Sequence, residues 1–380
     1  MKNKFNAEII EDFGEYKRLS EKYNLPISEI LQIDMNRSGV YLPNNEVRVN
    51  FRVKFKGKFN GDYETWYALP VREKEDTNFS CHNNHIYYKN IVIGDITDRI
   101  MLDTCESSYQ RGPHLLNLNS RSRSNCGGCT ACIHNDKNLY DETVLRDKKG
   151  LHTKEDLEEF FDSKNILVQD LVQIAVVTGL FHSERNVVDH MKLVHDVASR
   201  RGFEGELMYF GCEVNSEDAL KELSELGKFQ LIYAYDNFTK RNKILNPSKG
   251  KLTIEDAIRT LELAQKYGID TTISYISGID SLVKMKEGFT KLKEYMTQFP
   301  IINIYQTQTN LQVGIMDPEA SILEYYLESR KELEKIFQNK DYLPKRWSNY
   351  RPLWYKIYQN QELENNAFGQ QEIIKIKKRG

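Results

Sequence analysis

The sequence has no long apolar run, no excess of either charge and few cysteines, and each absence excludes a class of protein. No stretch approaches the roughly 18–20 apolar residues that span a bilayer, and the first residues lack the apolar core of a secretion signal. Lysine and arginine number 53 against 55 aspartates and glutamates, so the bulk charge points neither to nucleic acid nor to an anionic membrane as partner. Six cysteines in 380 residues are too few for a disulfide scaffold. We therefore expect a cytoplasmic protein built around a hydrophobic core.

Three of the six cysteines are concentrated in one loop. Cys126, Cys129 and Cys132 stand in the segment NCGGCTACIH, residues 125–134. Thiolates at this spacing are typical of a metal centre. The other cysteines are scattered along the chain, and each alone is typical of a small buried hydrophobe. They are Cys81, Cys105 and Cys212.

On the residues alone, four interpretations of this loop are open. A structural zinc ion needs a fourth ligand, for which His134 or Cys105 is available, although the second two-cysteine hook of a zinc ribbon is absent from the sequence. A ferredoxin-type run needs a fourth cysteine where Asp136 stands and a proline where Lys137 stands. A redox pair leaves the third cysteine unused. A [4Fe–4S] cluster on three thiolates leaves one iron open to a small molecule, and the small residues between the cysteines let the loop wrap a bulky cluster. We favour the cluster.

From residue 115 onward the pattern alternates between strands and helices. Apolar runs rich in β-branched residues predict buried strands, and apolar stripes at helical spacing predict the helices between them. The predicted strands are 114–119, 170–181, 205–214, 229–235, 270–278 and 301–308. The predicted helices are 153–163, 186–201, 216–227, 253–268 and 281–298, the first with Thr153 as N-cap and Asp156 completing a capping box. Repeated βα units indicate an α/β fold with a parallel sheet, either doubly wound or rolled into a barrel, whose functional groups lie after the strands.

Two flanking regions differ in pattern from this α/β part. Residues 1–114 predict a β-rich or α+β appendage, with a helix over 8–22 and alternating strands around an Asn60-Gly61 turn. Residues 317–380 predict a long amphipathic helix followed by a segment, 341–358, rich in aromatic and basic residues. We interpret that segment as a cap over one barrel end rather than a nucleobase-stacking surface. The predicted domains are therefore 1–114, 115–316 and 317–380.

With the three cysteines after the first predicted strand, residues 115–315 resemble the radical S-adenosylmethionine (radical SAM) superfamily. The resemblance implies a partial (β/α)6 TIM-like barrel and an enzyme whose [4Fe–4S] cluster is held by Cys126, Cys129 and Cys132. It implies S-adenosylmethionine bound to the open iron, and reductive cleavage to a 5′-deoxyadenosyl radical that abstracts hydrogen. It further implies an external electron donor of flavodoxin or ferredoxin type, and a small-molecule or peptide substrate that the motifs do not identify.

Further segments resemble the biotin-synthase-like branch of that superfamily. These are VTGLFHSERN (177–186), YISGID (275–280) and the run between residues 211 and 269. The resemblance implies contacts to S-adenosylmethionine at Thr178, Gly179, Glu213, Tyr235, Asp236 and Gly278. Biotin synthase carries an arginine where this chain has Ala257, and Arg259 is the candidate for its role.

The motif also departs from the family's common pattern. Its spacing is C-x2-C-x2-C instead of C-x3-C-x2-C, and Ala131 replaces the usual aromatic residue, so Ile133 or His134 is the candidate neighbour of the adenine. The cysteines of biotin synthase's second cluster have no counterparts, which excludes sulfur insertion by that route. The altered spacing leaves open transfer of a 3-amino-3-carboxypropyl group. A zinc-stabilised binding module is the alternative from a different class.

Overall fold

The computed structural model describes residues 13–43, 46, 48–56, 64–100, 109–112, 114–120, 128–132, 150–177, 181–340, 342–345, 349 and 351–363. They belong to two compact units. The described residues of the first lie within Met1–Asp103, Ile276–Lys286 and Ile302–Glu364, and those of the second within Thr104–Tyr275 and Glu287–Ile301. Both units gather separated parts of the sequence, whereas the division predicted at residues 114 and 316 is continuous along the chain.

Strands and helices are named here in chain order. The strands are β1 Val40–Tyr41, β2 Arg48–Phe55, β3 Glu64–Arg72, β4 Phe79–His82, β5 His85–Tyr88, β6 Ile91–Ile100, β7 Tyr109–Gly112, β8 Leu115–Leu118, β9 Gln173–Val177, β10 Glu206–Gly211, β11 Phe229–Asp236, β12 Asp270–Ser277, β13 Ile301–Ile304, β14 Ile357–Tyr358 and β15 Gln361–Glu362. The helices are α1 Gly14–Tyr23, α2 Ile27–Ser38, α3 Lys154–Ser163, α4 Glu184–Ser199, α5 Glu217–Ser224, α6 Arg241–Ile244, α7 Pro247–Gly250, α8 Ile254–Lys266, α9 Leu282–Leu292, α10 Asn310–Ile315 and α11 Leu323–Ile336. Short 3₁₀ turns occupy 74–76, 168–170, 293–295 and 318–321.

In the first unit, β1 to β6 close into a small barrel in the order β1-β3-β2-β6-β5-β4, and β1 also pairs with β4. The side chains of β2 alternate: Val49, Phe51 and Val53 are buried, whereas Lys54 is exposed. Such alternation is expected for a sheet with one face toward a core. The antiparallel strands predicted around residue 60 are therefore confirmed as β2 and β3. The Asn60-Gly61 turn itself lies outside the described residues.

A buried ionic network joins α2 and α11 to the segment 353–359 of the same unit. Arg330 and Glu29 are each 1% exposed, and the Arg330 guanidinium donates to Glu29 Oε1 at 2.6 Å. It also donates to Glu334 Oε1 at 3.0 Å and to the carbonyls of Leu353 and Ile357. Glu29 in turn accepts the backbone N–H of Tyr355 at 2.7 Å. Each charge is thus compensated, as buried charges must be.

The main sheet has the order β13-β12-β11-β10-β9-β8-β7, and β8 to β13 form a curled parallel half-barrel. Its strands alternate between two apolar faces. Ile174, Leu207 and Leu231 pack under the helices, whereas Ala175 and Met208 belong to a separate small core with Ile232 and Ile301. The predicted α/β fold with a partial (β/α)6 barrel is confirmed, and the curl decides against an open doubly wound sheet.

Local signals placed the helices of this sheet correctly. Thr153 Oγ1 accepts the N–H of Asp156 at 3.1 Å, and the Asp156 carboxylate accepts the N–H of Thr153 at 3.0 Å, so the predicted capping box is confirmed. Thr253 and Asp256 form a second capping box at the start of α8. Within the described part of the chain, no helix combines the length and apolarity needed to cross a bilayer.

Candidate functional site

The described part of the cysteine loop is a tight turn after β8. The N–H of Cys132 donates to the carbonyl of Cys129 at 2.9 Å, and both thiols are half-buried and free of disulfides. Gly128 has a φ of 75°, a left-handed conformation that glycine adopts at little cost. Cys126 lies outside the described residues. The loop follows the first strand of the parallel series, at the edge where (β/α) barrels place their functional groups.

The sulfur of Cys129 receives hydrogen bonds from Asn246, which lies beyond the end of β11. The backbone N–H of Asn246 is 3.3 Å from Cys129 Sγ, and its side-chain nitrogen is 3.8 Å from the same atom. Thr130 Oγ1 donates to the carbonyl of Ile244 at 3.2 Å, a second contact between these segments. Asn246 also caps α7 by accepting the N–H of Lys249 at 3.0 Å. Its position is therefore fixed on two sides, and its donors stabilise negative charge on the Cys129 sulfur.

A buried ion pair lies beside this contact. The ammonium group of Lys249 pairs with the carboxylate of Asp236, and Asp236 also accepts a hydrogen bond from Ser274 Oγ at 2.9 Å. Asp236 has a φ of 68°, at an irregularity in the pairing of β11 with β12. Burial disfavours the charge on Lys249, but the Asp236 carboxylate outweighs this effect and raises the pKa of Lys249. The lysine is therefore a permanent cation at neutral pH.

Arg241 holds this segment against the end of β11. Its guanidinium donates to the carbonyls of Tyr235, Lys249 and Leu252, the last two at 2.6 and 2.9 Å. It also lies over the Tyr235 ring, 3.7 Å from the centroid, a cation–π geometry. At 5% exposure the arginine is buried, so the polypeptide between residues 241 and 252 has a fixed path.

The thiol pKa values in this region reflect burial and the neighbouring charges. Burial raises the pKa of Cys129, and Lys249 and the Asn246 N–H oppose that rise. Burial raises the pKa of Cys212 to about 12, which leaves that thiol protonated and unreactive. Lys249 opposes the rise at both thiols, but Cys129 also accepts the Asn246 N–H and is half-buried, whereas Cys212 is 6% exposed.

Two further predicted contact residues are engaged close to their own strands. Glu213 accepts hydrogen bonds from Tyr209 OH and from the N–H of Cys212, the latter at 2.8 Å. Tyr235 is buried under Arg241. Both lie at the carboxyl ends of their strands, β10 and β11, as predicted, and their roles toward a cofactor stay predictions.

The remaining predicted residues are not joined to this cluster by any described contact. Arg259 is exposed on α8 and pairs with Asp256 of the same helix at 2.9 Å. Gly278 belongs to the first unit, where its φ is 113° and an added Cβ would lie 2.7 Å from Tyr326 OH. Thr178 and Gly179 lie outside the described residues.

The donor set fits thiolate ligation of an iron–sulfur cluster. Two thiols lie on one turn, one of them with N–H donors aimed at its sulfur, and such hydrogen bonds tune iron–sulfur centres. Among the described residues, no group of three or more His, Cys, Asp or Glu side chains is placed to hold a metal ion. A third ligand would therefore come from outside them, where both Cys126 and His134 stand.

Sequence reasoning missed Asn246 and Lys249. The signal was the Asn-Pro pair at 246–247, which is typical of an N-cap followed by a helix-initiating proline. It predicts the start of α7, but not its contact with a cysteine 117 residues earlier in the chain.

The sequence matches no protein-family model and no curated protein. Among solved structures, the chain is similar to the radical S-adenosylmethionine methyltransferase TsrM from Kitasatospora setae, with 12% identity and a TM-score of 0.34 over 51% of this chain and 36% of that chain. It is also similar to coproporphyrinogen III oxidase (HemN) from Escherichia coli, a radical SAM enzyme, with 15% identity and a TM-score of 0.37 over 60% and 53% of the two chains. A third similar structure is the FeFe-hydrogenase maturase HydG from Carboxydothermus hydrogenoformans. Its sequence identity is 14% and its TM-score is 0.41, over 66% of this chain and 62% of that chain. Each alignment covers less than two thirds of the other chain. With TM-scores this low, the likeness carries no argument about what this chain binds or does.

Proposed function

We propose that this protein is a radical SAM enzyme with one [4Fe–4S] cluster on Cys126, Cys129 and Cys132. The observation that supports it most is the Cys129 thiol, which lies after the first strand of a parallel half-barrel and accepts the Asn246 N–H. When bound and reduced, the cluster supplies the electron that cleaves a carbon–sulfur bond of S-adenosylmethionine. We infer cleavage toward 5′-deoxyadenosine and hydrogen abstraction from a substrate, with a flavodoxin- or ferredoxin-type donor.

The chain's own residues prepare this loop for an anionic group. Asn246 orients the Cys129 sulfur through its backbone N–H, and its other bonds to α7 prevent it from turning away. Burial raises the pKa of Cys129, and the cation of Lys249, paired with Asp236, opposes that rise. Arg241 fixes the backbone that carries both groups. These roles need no movement of the described residues.

Within this proposal, Asp236 is our first candidate for a direct contact with S-adenosylmethionine. It ends β11, and the cation paired with it acts on Cys129. Asp236→Asn should weaken binding of S-adenosylmethionine to the cluster-loaded protein by roughly 10-fold or more, since a hydrogen bond to a charged group contributes about 1.5–3 kcal/mol. Asp189→Asn is the matched control, because Asp189 is exposed on α4 and pairs with Arg185 of the same helix. If both variants lost the same affinity for S-adenosylmethionine, Asp236 would not be a contact residue.

Anaerobic purification followed by iron, sulfide and zinc analysis tests the cluster directly. We expect about four irons per chain and the broad absorbance near 400 nm of a cubane cluster. Cys129→Ala should lower the iron content strongly, whereas Cys81→Ala, a buried thiol of the first unit, should not. A colourless protein with stoichiometric zinc would instead make the chain a zinc-stabilised binding module.

The product of S-adenosylmethionine cleavage decides between the two reaction types. Incubation with dithionite and S-adenosylmethionine should release 5′-deoxyadenosine, measured by liquid chromatography. Release of 5′-methylthioadenosine instead would point to transfer of the 3-amino-3-carboxypropyl group, which the shortened cysteine spacing leaves open. Full turnover by the Cys129→Ala variant would refute the ligand assignment.

A further inference from the structure

Arg72, the last residue of β3 in the first unit, carries a half-buried guanidinium with few partners. Its Nε donates to the carbonyl of Ser38 at 3.2 Å, and its Nη2 is 3.4 Å from Thr307 Oγ1. A guanidinium has five N–H donors, so these two bonds leave three without a partner in the described part of the chain. Within that same part, Arg72 makes no ion pair. Guanidinium groups in protein interiors normally face a carboxylate or a phosphate.

The carboxylate of Asp34 is paired with a different arginine, Arg37. Asp34 accepts two hydrogen bonds from Arg37, at 2.6 and 3.0 Å, and a third from Tyr16 OH at 2.6 Å. The positive charge of Arg37 and burial together lower the pKa of Arg72, with burial the larger cause. Asp76 opposes this shift, but it is exposed and not within ion-pair distance. Arg37 therefore has a carboxylate partner within ion-pair distance, whereas Arg72 has none among the described residues.

Neutral hydrogen-bonding groups lie next to this cation. Thr307 is 8% exposed and follows β13, at the end of the strand where a parallel barrel presents its functional loops. The preceding residue, Gln306, is 4% exposed and donates to the carbonyl of Asn36 at 2.8 Å. Its side-chain oxygen has no hydrogen-bond partner in the described part of the chain, but as an acceptor it would not itself bind an oxyanion.

We propose that Arg72, with Thr307, binds an oxyanion of the enzyme's substrate, either a carboxylate or a phosphate. The guanidinium supplies a planar pair of donors suited to either group, and the Thr307 hydroxyl supplies one more. The anion would give Arg72 the ion-pair partner that it lacks among the described residues. That the anion belongs to a substrate rests on the proposed function. Binding of the anion itself can be tested without an iron–sulfur cluster.

A plainer role for Arg72 is to cap α2. Ser38 is the last residue of that helix, and a cation near a helix C-terminus is stabilising. This role explains the bond to Ser38, but neither the bond to Thr307 nor the three remaining donors. It predicts a loss of stability on substitution without any dependence on anions.

The test measures anion binding to the full-length chain before iron is added. Orthophosphate and acetate are titrated separately by calorimetry and by thermal unfolding, at constant ionic strength. Arg72→Gln should weaken binding of the preferred anion by roughly 10- to 100-fold, the equivalent of one charge-assisted hydrogen-bond pair. Arg72→Lys should keep part of the affinity. Arg52→Gln is the matched control, since Arg52 lies on the same barrel over the Trp66 ring.

The anion titrations distinguish a phosphate site, a carboxylate site and a purely structural role for Arg72. A phosphate preference lost in Arg72→Gln supports a phosphorylated substrate, and an acetate preference lost in the same way supports a carboxylate. If neither anion binds the unaltered protein, or if Arg52→Gln loses as much affinity as Arg72→Gln, the proposal is overturned. If Arg72→Gln lowers the unfolding temperature but leaves its dependence on anions unchanged, Arg72 caps α2 only. Because no iron is present, failure of the cluster assignment leaves these readings unaffected.

Discussion

Replacing Arg330 with methionine would leave two carboxylates inside the first unit without their cation. Glu29 is 1% exposed, and Glu334 reaches the same guanidinium at 3.0 Å. Two backbone carbonyls, those of Leu353 and Ile357, would lose their donor as well. Methionine has a similar length and fills most of the space, so the effect isolates the charge and its hydrogen bonds.

The expected loss follows from the burial of the pair. Removing one partner of a fully buried ion pair costs about 3–5 kcal/mol, because the other charge stays uncompensated in a medium of low dielectric. For a cooperative unit of about 150–250 residues, each kcal/mol lowers the melting temperature by about 2–4 °C. Arg330→Met should therefore lower the melting temperature of the first unit by roughly 6–20 °C.

Urea denaturation followed by circular dichroism measures this effect, with Arg185→Met as control. Arg185 pairs with two carboxylates, Asp189 and Glu222, but its side chain is 51% exposed, so its loss should leave the free energy of unfolding almost unchanged. The double variant Glu29→Gln/Arg330→Met should recover about 1–3 kcal/mol relative to Arg330→Met alone, since the stranded carboxylate is gone. Equal losses for Arg330 and Arg185, or strict additivity in the double variant, would refute the reasoning.

Three further predictions concern single positions. Thr153→Ala should cost about 1 kcal/mol in urea denaturation because it removes the capping box of α3, and Thr153→Ser should cost almost nothing; a full loss in the serine variant would contradict this. Gly278→Ala should cost about 1–3 kcal/mol because φ is 113° there and the new methyl group meets Tyr326 OH, and Tyr326→Phe in the same chain should restore part of the loss. Cys212→Ala should leave the iron content of the purified protein unchanged, and a drop equal to that of Cys129→Ala would make Cys212 a ligand.

The elements of the fold that were predicted from the sequence are those determined by residues close together in the chain. The apolar run that became β9 needs burial on both faces, and only a covered parallel strand provides it. Thr153 and Asp156 lie three residues apart, and their hydrogen bonds follow from that spacing alone. Helix α2 was missed because polar residues such as Glu29, Gln32 and Asn36 are buried in it along with the apolar ones, so its sequence does not separate into a polar and an apolar face.

The rest depends on contacts between distant parts of the chain. The closed barrel of the first unit needs the two-residue strand β1 to pair with both β3 and β4, and two residues carry no recognisable period. The ligand role of the three cysteines was inferred from their spacing and stays a prediction. The bond from Asn246 to Cys129 was not predicted, because neither residue type specifies a partner 117 positions away.

The buried ion pair between Glu29 and Arg330 also sets an order of events during synthesis of the chain. Glu29 and Arg330 are 301 residues apart, so at about 5–20 residues per second the ribosome needs roughly 15–60 s to deliver the arginine after the glutamate. During that interval the strands of the half-barrel leave the ribosome in sequence, each next to its future neighbour. The unit that begins the chain is therefore the last to be completed. A nascent chain arrested before residue 330 would leave the Glu29 carboxylate without the Arg330 guanidinium that compensates it in the folded unit.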